Sequence, residues 1–178
     1  TTTLQPGSEG LDSFIADEGT DTDLDIKNFG ADVDLMFSSE GGTPSYVPLR
    51  PILKFDLSSV SSAVQDATLS VYFYNDIETD AATSMTMSLY QVTQSWSEGS
   101  GTFSSPALNS GVNWVTSDGT SPWTAGSPHA TSASGTATVS GYGWKDITGT
   151  GMQSLVTGWL GGTNHGCVII SSGGDNAR

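Results

Sequence analysis

Residues 49–58 read L-R-P-I-L-K-F-D-L-S, and residues 67–75 answer them with A-T-L-S-V-Y-F-Y-N. In the first stretch Leu53, Phe55 and Leu57 alternate with Lys54 and Asp56. In the second, Ala67, Leu69, Val71 and Phe73 alternate with Thr68, Ser70, Tyr72 and Tyr74. A strand turns successive side chains to opposite faces, so an apolar period of two marks a strand with one face on a core and the other in water. Residues 58–66, S-S-V-S-S-A-V-Q-D, are too many for a tight hairpin and too polar for a helix. That predicts a connection that swings over an edge or crosses to a second sheet.

Outward from this pair, Phe14 sits in a short strand pattern, and Val33, Leu35 and Phe37 alternate over residues 33–37. Met85, Met87 and Leu89 alternate with Thr86 and Ser88, and the phase then changes at Tyr90 and Val92, which predicts a bulge. Between Ser97 and Ser140 the apolar positions are scattered, and Pro106, Pro122 and Pro128 exclude central strands. Short strands are expected there around residues 112–115 and 135–139; otherwise the segment is a functional loop layer. Trp144 to Thr148 reads as a strand leading into a helix, with Thr148 or Thr150 as N-cap. Met152, Leu155, Val156 and Trp159 fall at helical spacing, and Gly161 and Gly162 end the helix. Residues 166–171 give the last strand, expected to leave an unpaired sheet edge behind it. The fold class expected is all-β: a two-sheet antiparallel β-sandwich, jelly-roll-like, with one short helix near the C-terminus. Residues 1–11 read as a polar N-terminal arm and residues 12–178 as a single domain.

Composition narrows the function classes. Only 13% of residues are charged and 22 are glycine, a profile of short strands and turns. Five Lys and Arg stand against nineteen Asp and Glu, a formal net charge of -14. Nucleic-acid binding needs a basic footprint that this chain lacks, and polyanionic, alginate-like glycans and anionic lipid surfaces are disfavoured by the same repulsion. Neutral surfaces, divalent cations and copies of itself remain as partners. No apolar run approaches the roughly 18 residues of a membrane-spanning helix, so no membrane insertion is expected. The single cysteine, Cys167, lies beside Val168, Ile169 and Ile170 and reads as a buried structural thiol.

Several phrases, in this order and spacing, resemble the DNRLRE-type extracellular β-sandwich domains, a group that includes a family of carbohydrate-binding modules. They are L-Q-P-G-S-E-G at residues 4–10, N-F-G at 28–30, K-F-D-L-S-S followed by A-T-L-S-V-Y, S-W-S-E-G at 95–99, W-K-D-I-T at 144–148, M-Q-S-L-V-T-G-W-L-G at 152–161, and D-N-A-R at the end. The resemblance implies a secreted or cell-surface protein more firmly than it implies a ligand. An opening at Thr1 without Met fits removal of a secretion signal.

Catalytic motifs are missing: there is no G-x-S-x-G elbow, P-loop or H-E-x-x-H, and His129 and His165 read as turn residues. Glu98 and Asp146 read as carboxylates bonded to backbone donors at strand ends. No enzyme activity is expected. Of the five tryptophans, Trp96, Trp144 and Trp159 lie in strand and helix motifs and read as core. Trp114 and Trp123, in the loop layer with Asn113 and Asp118 nearby, are the candidates for stacking on a sugar. Arg50, Lys54 and Lys145 either pair with carboxylates or form one basic pocket for an acidic sugar. Asp21, Asp23 and Asp25 have the D-x-D-x-D spacing of a calcium loop with Asp32 twelfth, but Ile26 stands where an EF-hand needs glycine. They are candidate Ca2+ ligands or a solvated acidic loop. The leading expectation is a non-catalytic structural module, a subunit or repeat of an extracellular fibre, sheath or adhesin associating through termini and sheet edges. The alternative is a carbohydrate-binding module appended to a secreted enzyme or adhesin, with polysaccharide as its partner.

Overall fold

The structure is a computed structural model that describes residues 1–6, 10–17, 24–38, 47–61, 63–74, 85–124 and 126–172. In chain order the elements are β1 (Gly10–Ala16), β2 (Lys27–Asn28), β3 (Leu49–Phe55), β4 (Leu69–Phe73), β5 (Met85–Val92), β6 (Ala107–Leu108), β7 (His129–Val139), β8 (Gly143–Ile147), α1 (Thr150–Leu160) and β9 (Cys167–Ser172). The all-β class is as read from the alternation, with one short helix.

The two stretches that open the sequence reading do not pair with each other. β3 lies in a five-stranded antiparallel sheet ordered β1-β3-β9-β5-β7, whereas β4 pairs with β8 in a separate two-stranded ribbon. The connection of residues 58–66 therefore crosses between layers. Leu53, Met85, Met87, Leu89, Cys167 and Ile169 from the large sheet form one core with Ile147 of β8 and with Met152, Leu155 and Trp159 of α1. Leu69, Val71 and Phe73 of β4 pack onto that core from the ribbon side. A fully buried side chain of this size contributes about 1.5–3 kcal/mol by leaving water, and the partial burial of these three is enough to fix the inward parity of β4. Val156 packs at the margin of the same core.

On the opposite face of the large sheet Ile15, Ile52 and Val168 meet Trp96, Val112 and Trp123 of the loop layer. A third cluster stacks Phe14 on Phe29, with ring centroids 4.4 Å apart and planes 11° from parallel. β5 shifts register at Leu89/Tyr90 and again at Tyr90/Val92, where the alternation changes phase.

Five expectations are corrected. β9 is not an edge: it pairs with β5 along its length and with β3 at Cys167 and Val168, so the C-terminal strand sits in the middle of the sheet. The edge-strand motive for a fibre subunit goes with it. Residues 33–37 form no strand; Val33 is exposed, Phe37 enters the main core and Met36 packs on the Phe14 cluster, so the segment is divided between two cores. Residues 112–115 also form no strand, because the Asn113 side chain draws them into a turn (below). The residue that caps α1 is Gly149, with no side-chain cap, in place of either threonine. β1 begins at Gly10, within the stretch read as the arm.

Candidate functional site

The loop-layer residues singled out from the sequence do come together, but three of the four build the loop itself. Trp123 is 6% exposed and donates its Nε1–H to the Asn113 carbonyl at 3.2 Å. Asn113 is buried; its Oδ1 accepts the N–H groups of Val115 and Thr116 at 2.9 and 2.7 Å. Asp118 accepts from the backbone of Ser121 and Thr120 and from both their hydroxyls, and these bonds hold its carboxyl well below the usual carboxylate range. It closes a turn, as short acceptor side chains do. Trp114 is half-buried, with the Arg50 guanidinium stacked 4.3 Å from its ring centroid. That contact pins the loop to β3 and covers part of the indole. Tyr90 packs beside His129 at 4.9 Å, and burial, with the nearby Arg50 charge and against the opposing bond to the Ala130 carbonyl, lowers the imidazole pKa.

The metal candidates are not assembled. Asp21 and Asp23 lie outside the described residues, Asp25 is buried, and Asp32 accepts N–H groups from Phe103 and Asp34. Among the described residues no group of three or more His, Cys, Asp or Glu could hold a metal ion. The cations do not share a pocket either: Arg50 and Lys54 lie on β3, and Lys145 lies on β8, where its Nζ donates to the carbonyls of Ser140 at 2.9 Å and Tyr142 at 3.4 Å.

Two of the quoted motifs are scaffold. The N-F-G asparagine, Asn28, is fully buried and uses every hydrogen-bonding position of its amide. Nδ2 donates to the carbonyls of Glu98 and Val112, and Oδ1 accepts from Gly30 and Gly101 at 3.1 Å each. S-W-S-E-G supplies Glu98, whose carboxylate accepts the Asp12 N–H at 3.0 Å and covers the outer edge of β1. The Asp12 and Glu98 carboxyls adjoin: burial first, then the Glu98 charge and a hydrogen bond with it, raise the Asp12 pKa. Two acids in direct contact leave no room for a sugar and water between them, unlike the spaced pair of a glycosidase.

The outward face of the β4–β8 ribbon has a different character. Phe73 pairs with Gly143, Tyr72 with Trp144 and Ser70 with Asp146, and the inward positions are taken by Leu69, Val71 and Ile147. The outward set is therefore Ser70, Tyr72, Trp144 and Asp146. Trp144 is 67% exposed and Tyr72 is 55% exposed, their centroids 5.2 Å apart and their planes inclined by 68°. Tyr74 and Tyr142, 58% and 55% exposed, stand at the end of the ribbon where Phe73 meets Gly143. Positive φ at Gly141 and Gly143, 66° and 102°, lets the chain turn into β8 and present Tyr142 beside it. At the other end the Ser70 hydroxyl donates to the Asp146 carboxylate at 2.6 Å. Asp146 thus bonds a side chain, where a backbone donor was expected.

Trp144 is the residue misread as core. The signal was present, since it shares parity with Asp146 while Ile147 has the opposite parity, and Tyr72 shares parity with Ser70. What the alternation could not supply was the partner strand that sets the two rings side by side. Tyr72, Tyr74, Tyr142 and Trp144 gather at one ribbon, and a contiguous exposed aromatic patch of this kind is a candidate binding surface.

Comparison with known families bears on what such a surface is for. Residues 9–125 match carbohydrate-binding module family 96. The chain belongs to that family. The match takes in β1 to β6, and so Tyr72, and ends before β7, β8, α1 and β9. No curated protein and no solved structure matches the module. The relation to carbohydrate-binding modules drawn from the motifs is thereby shown, and the DNRLRE-type label rests on the motifs alone. Family membership favours the carbohydrate-binding alternative over the structural-fibre reading.

Proposed function

We propose that this chain is a non-catalytic carbohydrate-binding module that holds a glycan on the outward face of β4 and β8. Tyr72 and Trp144 stack on the C–H faces of sugar rings, and Asp146, held by Ser70, accepts sugar hydroxyls. The observation that carries the reading is the exposure of Trp144 beside Tyr72 on a face whose inner side packs Leu69, Val71, Phe73 and Ile147 onto the core. An aromatic ring offers a large rigid contact at low entropic cost, which suits a ligand that is apolar on its ring faces and polar at its rim. Nothing in the arrangement calls for bond-breaking chemistry: the carboxyl pair at Asp12 and Glu98 is engaged in the scaffold. The proposal includes a place outside the cell, where polysaccharide is met.

Affinity electrophoresis through gels containing single polysaccharides tests it. Retardation of the wild-type module, lost in Trp144→Ala and in Tyr72→Ala, is the expected result. Retardation that both variants keep would move the site elsewhere.

A further inference from the structure

Resting on that functional reading, we infer that Lys145 is a positioning residue of the aromatic face. Its ammonium holds the turn between β7 and β8 in one shape and so keeps the Tyr142 ring in place at the end of the ribbon as a further contact for the glycan, and Lys145 itself does not touch the ligand.

The placement of Lys145 is the first ground. The parity of β8 turns Trp144 and Asp146 outward and puts Lys145 with Gly143 and Ile147 on the inner side, where it stands opposite Val71 of β4. A lysine at an inward position lays its stem along apolar surface and carries its charge out to polar partners. Here Nζ reaches back along the chain and donates to the carbonyls of Ser140 at 2.9 Å and Tyr142 at 3.4 Å. The ammonium is thereby aimed at the turn, whereas the outward side chains of the same strand are aimed at the face.

The second ground is how little else holds that turn. Residues 140–142 carry the chain from β7 in the five-stranded sheet to β8 in the ribbon. Tyr142 lies between Gly141 and Gly143, whose φ angles are 66° and 102°. A Cβ at either glycine would meet no atom within 4 Å, so these glycines answer to backbone conformation, and no neighbour wedges the chain at either point. Among the described residues no backbone–backbone hydrogen bond involves residues 140–142. The two bonds from Lys145 therefore close a turn that its own backbone leaves open.

Tyr142 is 55% exposed, and packing alone does not fix it. Without the clamp, a tyrosine flanked by two glycines is free to move and must be ordered as the ligand arrives, at a cost in affinity. With it the ring is ordered beforehand.

The experiment compares Lys145→Met, which keeps the stem and removes the charge, with Lys145→Arg, Tyr142→Ala and the double variant Tyr142→Ala/Lys145→Met, each checked by circular dichroism. Without ligand, 15N relaxation should show residues 140–143 less ordered in Lys145→Met than in wild type and the rest of the module unchanged, with order largely restored in Lys145→Arg. For binding, affinity electrophoresis is run in separate gels of soluble β-glucan, xylan, galactomannan, polygalacturonate and alginate. In a gel that retards the wild type through Trp144, Lys145→Met should weaken binding roughly three- to tenfold, the scale of one side chain ordered on binding. The double variant should bind no more weakly than Tyr142→Ala, because the effect of Lys145 passes through that ring. Turn amides as well ordered in Lys145→Met as in wild type would overturn the inference whichever glycan binds. A loss from Lys145→Met that persists in full alongside Tyr142→Ala, and shrinks as salt rises, would overturn it in favour of an ammonium on the ligand and leave the functional reading standing. Retardation in none of the gels, or retardation that Trp144→Ala leaves intact, would overturn the functional reading on which the inference rests.

Discussion

Asn28→Ala should cost this module more stability than any surface change, and the size of the loss follows from the four backbone groups the side chain serves. In the native structure its amide bonds the Glu98 and Val112 carbonyls and the Gly30 and Gly101 N–H groups, all at a fully buried position. A buried polar group left without a partner costs about 1–3 kcal/mol, and some of the four will relax toward water, so the expected loss is about 3–6 kcal/mol. Against a total stability of about 5–15 kcal/mol this leaves a marginal or unfolded domain at room temperature. Asn28→Asp keeps the shape but turns an oxygen toward two carbonyl oxygens. At neutral pH it should be at least as damaging. The folded state then favours the protonated carboxyl, which can donate one bond, so this variant's deficit should shrink as pH falls. Urea unfolding followed by tryptophan fluorescence, repeated at acid and neutral pH, reads both effects. A loss under about 1 kcal/mol for Asn28→Ala, or wild-type stability for Asn28→Asp at pH 7, would refute the account of the N-F-G and S-W-S-E-G motifs as scaffold.

Other outcomes follow from the same geometry. Trp144→Ala, at an exposed position, should shift unfolding stability by no more than about 0.5 kcal/mol, whereas Trp123→Ala, which empties a buried site and leaves the Asn113 carbonyl without its donor, should cost about 3–5 kcal/mol; chemical denaturation of both compares them, and equal losses would erase the distinction drawn between face and loop. Burial pushes the Cys167 thiol up to about 12, so the native protein should resist Ellman's reagent at pH 8 and react in full once unfolded; rapid reaction of the folded protein is the contrary result. The Asp12 carboxyl, raised above 3.8 chiefly by burial, binds its proton more tightly folded than unfolded, so its contribution is complete at low pH and drains away as pH rises through the interval above 3.8. Asp12→Asn should therefore gain stability relative to wild type on going from acid to neutral pH, and parallel stability–pH curves would show that the group does not matter.

Period-two alternation decided much of this protein at the level of sequence, because which way a strand side chain points is a local property. Leu69, Val71 and Phe73 were legible as core, Tyr72 and Tyr74 as outward, and Met152, Leu155 and Trp159 as the buried stripe of one helix. The acid excess was equally legible and excluded nucleic acid before any fold was known. Pairing is not local. Nothing in residues 69–73 names residues 143–147 as their partner, so only the tertiary structure could bring Tyr72 against Trp144 and make a binding face of two rings that the sequence treats separately. The same holds for β9, which looks terminal in the chain and is central in the sheet, and for Trp123, whose loop position suggested exposure until the opposite face of the large sheet closed over it. Strand parity is set by the backbone of each residue, whereas neighbours in a sheet are chosen by which distant segments together bury the most apolar surface.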